Sequence, residues 1–531
     1  MDSINYVPNG QFTAASILLT ENCNLNCKYC YQHDNRKNIN MSEEMCEKIV
    51  DFLIEGVLAQ RKKAQDANPD TKITLDENGR QYCPCISNSN AHVPNSINMT
   101  FFGGEPTLNI PGMRRLLEYS LIKTRKHNIQ PSFTLITNSL KWSDELEEFL
   151  QYWWDTLGHM NVQLSIDGIP EVLNTNRQGI NPNDDVASRI EATAKKYVEW
   201  FAARPEIPAG SLHAHACLSK YSLPFASESY HYIKDVIGIP HIWFMPVHEE
   251  PWDEDDVKLF EEQNRLIGDY IIDKCLAERK ADYFNQFSSF KCIPTNRKPQ
   301  RTCGAGINYL TFDYEGNIYP CHKFRWPIEK ALMLGHIDKG LDADMIAMFE
   351  EKSLTNKCFG TSSCAECRNG NCKYCIAMNH EHNGDMNIGF NMYCEMSKLE
   401  DDLRWEYYGK LHEAGLLPQL DRDGNNSNNS SCNCNPSGGI TEEQVSRMVE
   451  SQVRSYVQPI LDKLNEELLA FKESISEECN NLKSDIYIKY ANICRLANIN
   501  FETLFAALDI LLPEESDINN SPVEVSPEEE N

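Results

Sequence analysis

Positive charge is scarce in this sequence. Its 531 residues carry 50 lysines and arginines against 78 aspartates and glutamates, a net charge of −28. That argues against a nucleic-acid binder, which needs a basic footprint to displace condensed counterions. It argues equally against attraction to an anionic membrane surface. Long apolar runs are also lacking. The longest, such as Ile17–Thr20 and Ile510–Leu512, fall far short of the ~20 residues that cross a bilayer. Met1–Thr20 has neither a basic start nor an extended apolar stretch, so no secretory signal is expected. The expectation is a soluble, acidic, cytoplasmic protein.

Cysteine, by contrast, is plentiful, with 21 in the chain. In a reducing compartment these are not expected to form a disulfide framework. They also cluster: Cys23, Cys27 and Cys30 near the start, then a dense group from Cys292 to Cys394. Clustered thiols point to metal ligation or catalysis. Cys46, Cys217, Cys275, Cys479 and Cys494 lie singly in apolar patterns and are read as small buried hydrophobes.

The first half alternates short apolar runs with helical patterns, as βα units around a parallel sheet do. Strands are predicted at Ser16–Thr20, Asn98–Phe102, Phe133–Thr137, Val162–Ile166, Leu212–Leu218 and Ile242–Val247. Helices are predicted at Ser42–Ala59, Gly112–Lys126 and Ser143–Trp153. The expected fold class is α/β: a partial (β/α)6 TIM-like barrel over residues 12–250, short of the eight strands of a full barrel. The polar stretch 60–95, with Cys83 and Cys85, is read as an insertion. A helical bridge is expected at 251–300, then a cysteine-rich domain at 301–420 ending in a helix at Trp405–Leu416. Residues 421–439, rich in Asn, Ser and Gly, have the composition of a flexible linker. At 440–512 Val445, Val449, Val453 and Val457 begin an apolar stripe at helical spacing, expected to serve docking or self-association. Residues 513–531 read as an acidic disordered tail.

Glu21–Gln32 reads ENCNLNCKYCYQ, a C-x3-C-x2-C run directly after the first strand. Three thiolates on one tight loop can hold three irons of a 4Fe–4S cluster and leave the fourth open. The bland alternative, a zinc knuckle, lacks a fourth ligand nearby. The run, with Tyr29 before its third cysteine, resembles the radical S-adenosylmethionine (SAM) superfamily. The resemblance implies that the open iron binds the amino and carboxylate groups of SAM. One electron then releases a 5′-deoxyadenosyl radical that abstracts a substrate hydrogen.

The same resemblance implies SAM contacts at Tyr29, at Gly103, Gly104 and Glu105 of the FGGEP string, and at Asn138, Ser165 and Arg177. Ser139 stands where the family has glycine. As residues, the two glycines permit close approach of the backbone to a ligand, and Glu105 can accept from an ammonium group. Alone, such a string is more often a turn, and an arginine after a strand is by default a surface charge. Asp167 in the SIDG string can cap the next turn or contact substrate.

The later cysteines run Cys303-x12-Gly316-x4-Cys321, then Cys364-x2-Cys367-x4-Cys372-x2-Cys375, then Cys394. This order resembles the SPASM extension of peptide-modifying radical SAM enzymes, although two gaps of the middle block are one residue shorter than the family form. A zinc ribbon would separate its pairs by about 15–20 residues. The resemblance implies an auxiliary 4Fe–4S cluster on Cys303, Cys321 and Cys375, and a second on Cys364, Cys367, Cys372 and Cys394. Sulfatase-maturating members carry a further cysteine where this chain has Tyr309. The fourth ligand of the first auxiliary cluster is therefore open among Cys358, Cys292 and a substrate thiolate.

His322 follows Cys321 where those enzymes carry an aspartate base. Histidine can serve as a base near neutral pH. The strings CHKF and MLGHI look closer to thioether-forming peptide maturases, whose winged-helix leader-binding domain is not expected in the short stretch before Cys23. His213, His215 and Cys217 share one strand face and are read as lining the barrel, since no carboxylate is spaced with them to complete a metal site. Cys432 and Cys434, like Cys83 and Cys85, are read as incidental.

The function expected is post-translational modification of a peptide or protein by a radical SAM oxidoreductase. Thioether formation on a ribosomal peptide leads, and formylglycine formation is the alternative. The non-enzymatic alternative is a metal-bound interaction protein. Expected partners are the peptide or protein substrate, a flavodoxin- or ferredoxin-type electron donor, and whatever the C-terminal helices dock.

Overall fold

The computed structural model describes residues 4–32, 36–67, 95–181, 183–282, 286–287, 303–326, 331–354, 375–386 and 392–417. In chain order its strands are β1 (Tyr6–Val7), β2 (Ala14–Leu18), β3 (Leu25–Cys27), β4 (Ser96–Phe102), β5 (Gln130–Thr137), β6 (Asn161–Ser165), β7 (Arg177–Gly179), β8 (Leu212–Leu218), β9 (His241–Pro246), β10 (Tyr309–Phe312), β11 (Asn317–Tyr319), β12 (Gly335–His336) and β13 (Gly340–Asp342). Among the described residues one sheet runs β1-β13-β12-β11-β10-β2-β4-β5-β6-β8-β9, and β3 pairs separately with β7. From β2 to β9 every pairing is parallel. These are the six strands anticipated from the sequence.

Alternation explains their two faces. In β4 the buried positions are Ile97, Met99 and Phe101, and the half-buried ones between them lie on the opposite face. Phe101 stacks on Phe133 at 5.0 Å and takes the edge of Trp153 at 5.6 Å, which binds the helix Asp144–Leu157 to the sheet. That helix starts where Ser143 Oγ accepts from the Leu146 amide at 3.2 Å, and it ends at Gly158 with φ 64°. Such a cap and such a left-handed stop are what serine and glycine provide. The helix Glu254–Glu278 opens with a capping box between Asp253 and Asp256.

Three boundaries differ from expectation. The helix Glu43–Ala67 runs well past Ala59, because nothing in Gln60–Ala67 breaks a helix and Arg61 Nη2 is anchored on the Asn128 carbonyl at 2.9 Å. The closing helix spans Tyr393–Glu413 rather than starting at Trp405. The cysteine-rich region is also continuous with the main sheet: β10 pairs in parallel with β2, and β11, β12, β13 and β1 follow in antiparallel register.

The chain divides into two units, Met1–Ser427 and Asn428–Asn531, and all described residues fall in the first. The expected insertion, linker, C-terminal helices and tail lie largely or wholly outside the described residues. No described helix is long and apolar enough to cross a membrane.

Candidate active site

The loop after β2 carries Cys23, Cys27 and Cys30. It is held from two sides. Cys27 lies opposite Arg177 in the β3–β7 pair, the Lys28 amide donates to the Asn176 carbonyl at 2.9 Å, and the Cys30 amide closes a turn on the Cys27 carbonyl at 3.1 Å. From the other side the FGGEP string crosses the loop. The Gly104 amide donates to Thr20 and the Glu105 amide to Asn22, both at 2.8 Å. A Cβ on Gly104 would lie 2.2 Å from the Asn22 carbonyl oxygen, and one on Gly103, whose φ is +143°, would lie 2.4 Å from that of Thr20. The close approach that requires both glycines is to the chain at Thr20 and Asn22, at the start of the cysteine loop.

Glu105 is buried, and its carboxylate accepts from Thr107 N and Oγ1, Thr137 Oγ1 and the Asn138 amide at 2.7–3.1 Å. Burial raises its pKa, against the pull of these donors. Asn138 Nδ2 donates to Asn24 Oδ1 at 2.7 Å and lies 3.7 Å from the Cys23 sulfur. The next residue, Ser139, has φ 58°, a conformation that glycine adopts without strain and other L-residues do not. Ser165 ends β6 on its half-buried face.

Asp167 and Arg177 form one buried unit, with side chains 0% and 6% exposed. Arg177 Nε and Nη2 donate to the two carboxylate oxygens at 3.0 and 2.9 Å. The Tyr29 hydroxyl donates to Oδ2 at 2.5 Å and the Cys217 amide to Oδ1 at 3.0 Å. Asp167 thus anchors Tyr29, Arg177 and the end of β8. Arg177 pairs with this carboxylate of the chain.

The second set comprises Cys303, Cys321 and Cys375. Burial raises the pKa of the Cys321 thiol, and Cys303 and Cys375 raise it further as charged neighbours, so the three thiols share one electrostatic environment. Cys321 stands at the N-cap of the turn His322–Arg325, and Cys375 at that of the helix Ile376–Asn383. The amides of Lys323 and Phe324 aim at the Cys321 sulfur, and those of Ala377 and Met378 at Cys375. Free N–H groups at a helix start favour a thiolate, which is the form that binds iron. Among the described residues, no three His, Cys, Asp or Glu side chains converge tightly enough to hold a single metal ion. The cysteines of a cubic cluster each take a different iron and stand farther apart. Cys394 lies in the first turn of the helix Tyr393–Glu413. Cys292, Cys358, Cys364, Cys367 and Cys372 lie outside the described residues.

Tyr309, which stands where a fourth cysteine would, bonds Ser16 Oγ and also meets Thr100, and burial pushes its phenol up to about 12. The first set carries the same signature of burial, with the Cys27 thiol raised to about 12 despite Arg177 beside it.

The two sets meet through their neighbours in sequence. Tyr31, after Cys30, stacks on His322, after Cys321, with centroids 5.7 Å apart, and Phe102 lies 4.8 Å from the same imidazole. His322 Nδ1 is buried without a hydrogen-bond partner. Burial, reinforced by Lys323, lowers the His322 pKa to about 3. Arg325 ties the sets again, pairing with Glu21 and, at 3.2 Å, with Asp313. Lys323 pairs with Glu249 and stands 4.9 Å from the Tyr31 ring centroid. Sequence reasoning missed Tyr31, Glu21, Arg325, Lys323 and Glu249; only the nearness of four of them to cysteines could have flagged them. His213 and His215 share the half-buried face of β8, with His213 Nε2 3.3 Å from Gln163 Oε1 and its ring 5.8 Å from that of His241.

A parallel α/β sheet whose β2 strand runs into a clamped three-thiol loop defines the class of this fold. No family model matches the chain. Solved structures share the architecture. A polyhistidine-tagged anSMEcpe, an anaerobic sulfatase-maturating enzyme, with bound AdoMet matches at a TM-score of 0.53 and 17% identity, over 77% of this chain and 96% of that one. Native anSMEcpe with bound AdoMet and Cp18Cys peptide matches at 0.52 and 16%, over 76% and 98%. Streptococcus suis SuiB bound to S-adenosylmethionine matches at 0.43 and 15%, over 73% and 78%. For the two anSMEcpe structures the likeness at these identities is one of fold.

Proposed function

We propose that this chain is a radical SAM enzyme that modifies a side chain of a peptide or protein. The observation that carries the reading is the Cys23, Cys27, Cys30 loop, clamped between β7 and the FGGEP string, in a fold shared with an AdoMet-bound structure. In this reading these thiols hold three irons of a 4Fe–4S cluster. Cys303, Cys321 and Cys375 hold a first auxiliary cluster; Cys364, Cys367, Cys372 and Cys394 hold a second. Bound there, cluster and SAM supply a one-electron cleavage and a radical that abstracts hydrogen. The chain's own contribution is placement. Gly103, Gly104, Glu105 and Asn138 fix the cysteine loop, Asp167 holds Tyr29 and Arg177 beside it, and Ser165 faces the site from β6. Tyr31, Phe102 and His322 wall the space between the two sets against water. A flavodoxin- or ferredoxin-type protein delivers the electron.

Thioether formation is the leading subtype. Sulfatase-maturating members carry an aspartate base where this chain has His322, a departure from the formylglycine pattern. Tyr309 is spent on Ser16 and Thr100, which supports an iron left free for a substrate thiolate. A bound thiolate is deprotonated and oriented for coupling to a carbon radical.

Anaerobic purification should give a brown protein with about twelve irons per chain that releases 5′-deoxyadenosine from SAM once reduced. Stoichiometric zinc with little iron would remove the reading. For the subtype, a cysteine-containing substrate peptide should lose two hydrogens, keep its sulfur and resist alkylation. A hydrazide-reactive product without sulfur would promote formylglycine formation instead.

A further inference from the structure

We infer that the Nε–Nη2 edge of Arg36 is a carboxylate-binding fork at the Cys23, Cys27, Cys30 loop, filled by the carboxylate of a bound ligand. The inference rests on the proposed function, under which two ligands carry that group: SAM, and a peptide substrate with an acidic side chain or a free C-terminus. It goes beyond that reading in assigning a binding role to a residue outside the motifs.

The backbone beside Arg36 is fixed. It runs back antiparallel to the end of β2: the Glu21 amide donates to the Ile39 carbonyl at 3.1 Å, the Met41 amide donates to the Leu19 carbonyl at 2.8 Å, and Thr20 bridges Asn40. The Lys37 amide donates to Glu21 Oε2 at 3.2 Å. From this segment the Arg36 side chain reaches into the loop, where Nη1 donates to the Leu25 carbonyl at 2.5 Å. Leu25 is buried and lies midway between Cys23 and Cys27, so the guanidinium sits against the cysteine loop. Its other two nitrogens, Nε and Nη2, are buried without a hydrogen-bond partner. Among the described residues Arg36 forms no ion pair.

A guanidinium in a protein only donates, and buried donors left unanswered are costly, so these two nitrogens call for an acceptor. The chain has 78 acidic residues and brings none of those described to this edge. Arg177 shows what the same edge takes: its Nε and Nη2 meet the two oxygens of Asp167 at 3.0 and 2.9 Å. Such a parallel pair of donors matches the two oxygens of a carboxylate. It would match a phosphate as well, but neither SAM nor an unmodified peptide carries one. The partner of Arg36 is thus a carboxylate that arrives with a ligand, bound by hydrogen bonds with no proton or electron transferred. A latch that merely held the loop through Leu25 would leave Nε and Nη2 without use, and would give no preference for a carboxylate.

The test is equilibrium binding to the anaerobically purified, iron-loaded full chain, in two arms. The first compares SAM with decarboxylated SAM, which lacks only the carboxylate. The second, in SAM-saturated protein, compares the capped peptide acetyl-Gly-Cys-Glu-Gly-amide with its glutamine counterpart. In one arm the parent should prefer the carboxylate ligand. There Arg36→Gln should weaken that ligand by roughly tenfold or more, as loss of a charged hydrogen bond implies, and leave its neutral counterpart nearly unchanged. The arm that responds names the source of the carboxylate. Arg36→Lys, which keeps the charge and loses the fork, should recover only part of the preference. Equal weakening of both members of a pair, which a latch would give, overturns the inference, as does a parent with no preference in either arm. Both results leave the proposed function standing, because the parent still binds SAM. If Arg36→Gln fails to load iron, Arg36→Lys decides alone: a reduced preference supports the inference and an unchanged one overturns it. A parent protein holding zinc and no iron would instead overturn the cluster assignment, and the inference with it.

Discussion

Asp167 shows how far the role of one residue depends on its neighbours. It receives four hydrogen bonds from three parts of the chain: one from the Tyr29 hydroxyl, two from the Arg177 guanidinium and one from the Cys217 amide. Removing the carboxylate strands a buried guanidinium. Asp167→Ala is expected to destabilise the chain by about 3–5 kcal/mol, read as a lowered urea midpoint, whereas an exposed pair would cost little. A change below about 1 kcal/mol, the range of exposed pairs, would show that Arg177 finds water or another partner. His213 gives a second prediction at this scale. Burial, then His241 and His215, lower its pKa from 6.5 to about 4. Between those values the unfolded chain binds a proton that the folded chain refuses, so stability falls as pH falls through that window. His213→Gln should lose stability less steeply than the parent between pH 7 and pH 4. Parallel curves in urea unfolding would refute the assignment.

Among the elements, the short β3–β7 ribbon matters more to the site than its size implies. It has three pairs, and one of them sets Cys27 opposite Arg177. The opposing clamp is the FGGEP string, where Gly104 leaves no room for a side chain. Gly104→Ala should displace the Asn22 carbonyl and with it the cysteine loop. We expect its 5′-deoxyadenosine production to fall at least tenfold, with near-normal circular dichroism and retention of the iron held by the later cysteines. Full activity in this variant would mean that the loop is not held from beneath as described. Ser139 illustrates the converse: at φ 58° it occupies a conformation that favours glycine, held by a surrounding network in which its amide donates to Thr137 Oγ1 at 3.2 Å.

At the scale of the whole molecule, the strands that lead into Cys23 and Cys321, β2 and β11, belong to one continuous sheet, and the two cysteine sets are braced by Arg325 between Glu21 and Asp313. Nothing in that brace involves residues beyond 427, where the first unit ends. Truncation after Asp421 should therefore leave iron loading and SAM cleavage intact, and weaken binding of the peptide or protein substrate or change the oligomeric state. An aggregated, iron-free product would show that the C-terminal segment is needed for the core to fold.

Local chemistry was legible in the sequence. Alternating apolar residues marked all six strands from β2 to β9. Ser143 marked the start of its helix, and the spacing of Cys23, Cys27 and Cys30 identified the loop, because each of these signals is complete within a few residues. The tertiary structure decided what depends on distant pairs. Residue 309 joins β2 through β10, Tyr31 meets His322, Arg177 turns to Asp167, and Lys323 finds Glu249. None of these partners leaves a period or a spacing in the chain. Each is set by which strands lie side by side once the apolar faces are buried, and that competition among long-range packings is settled only by the folded molecule.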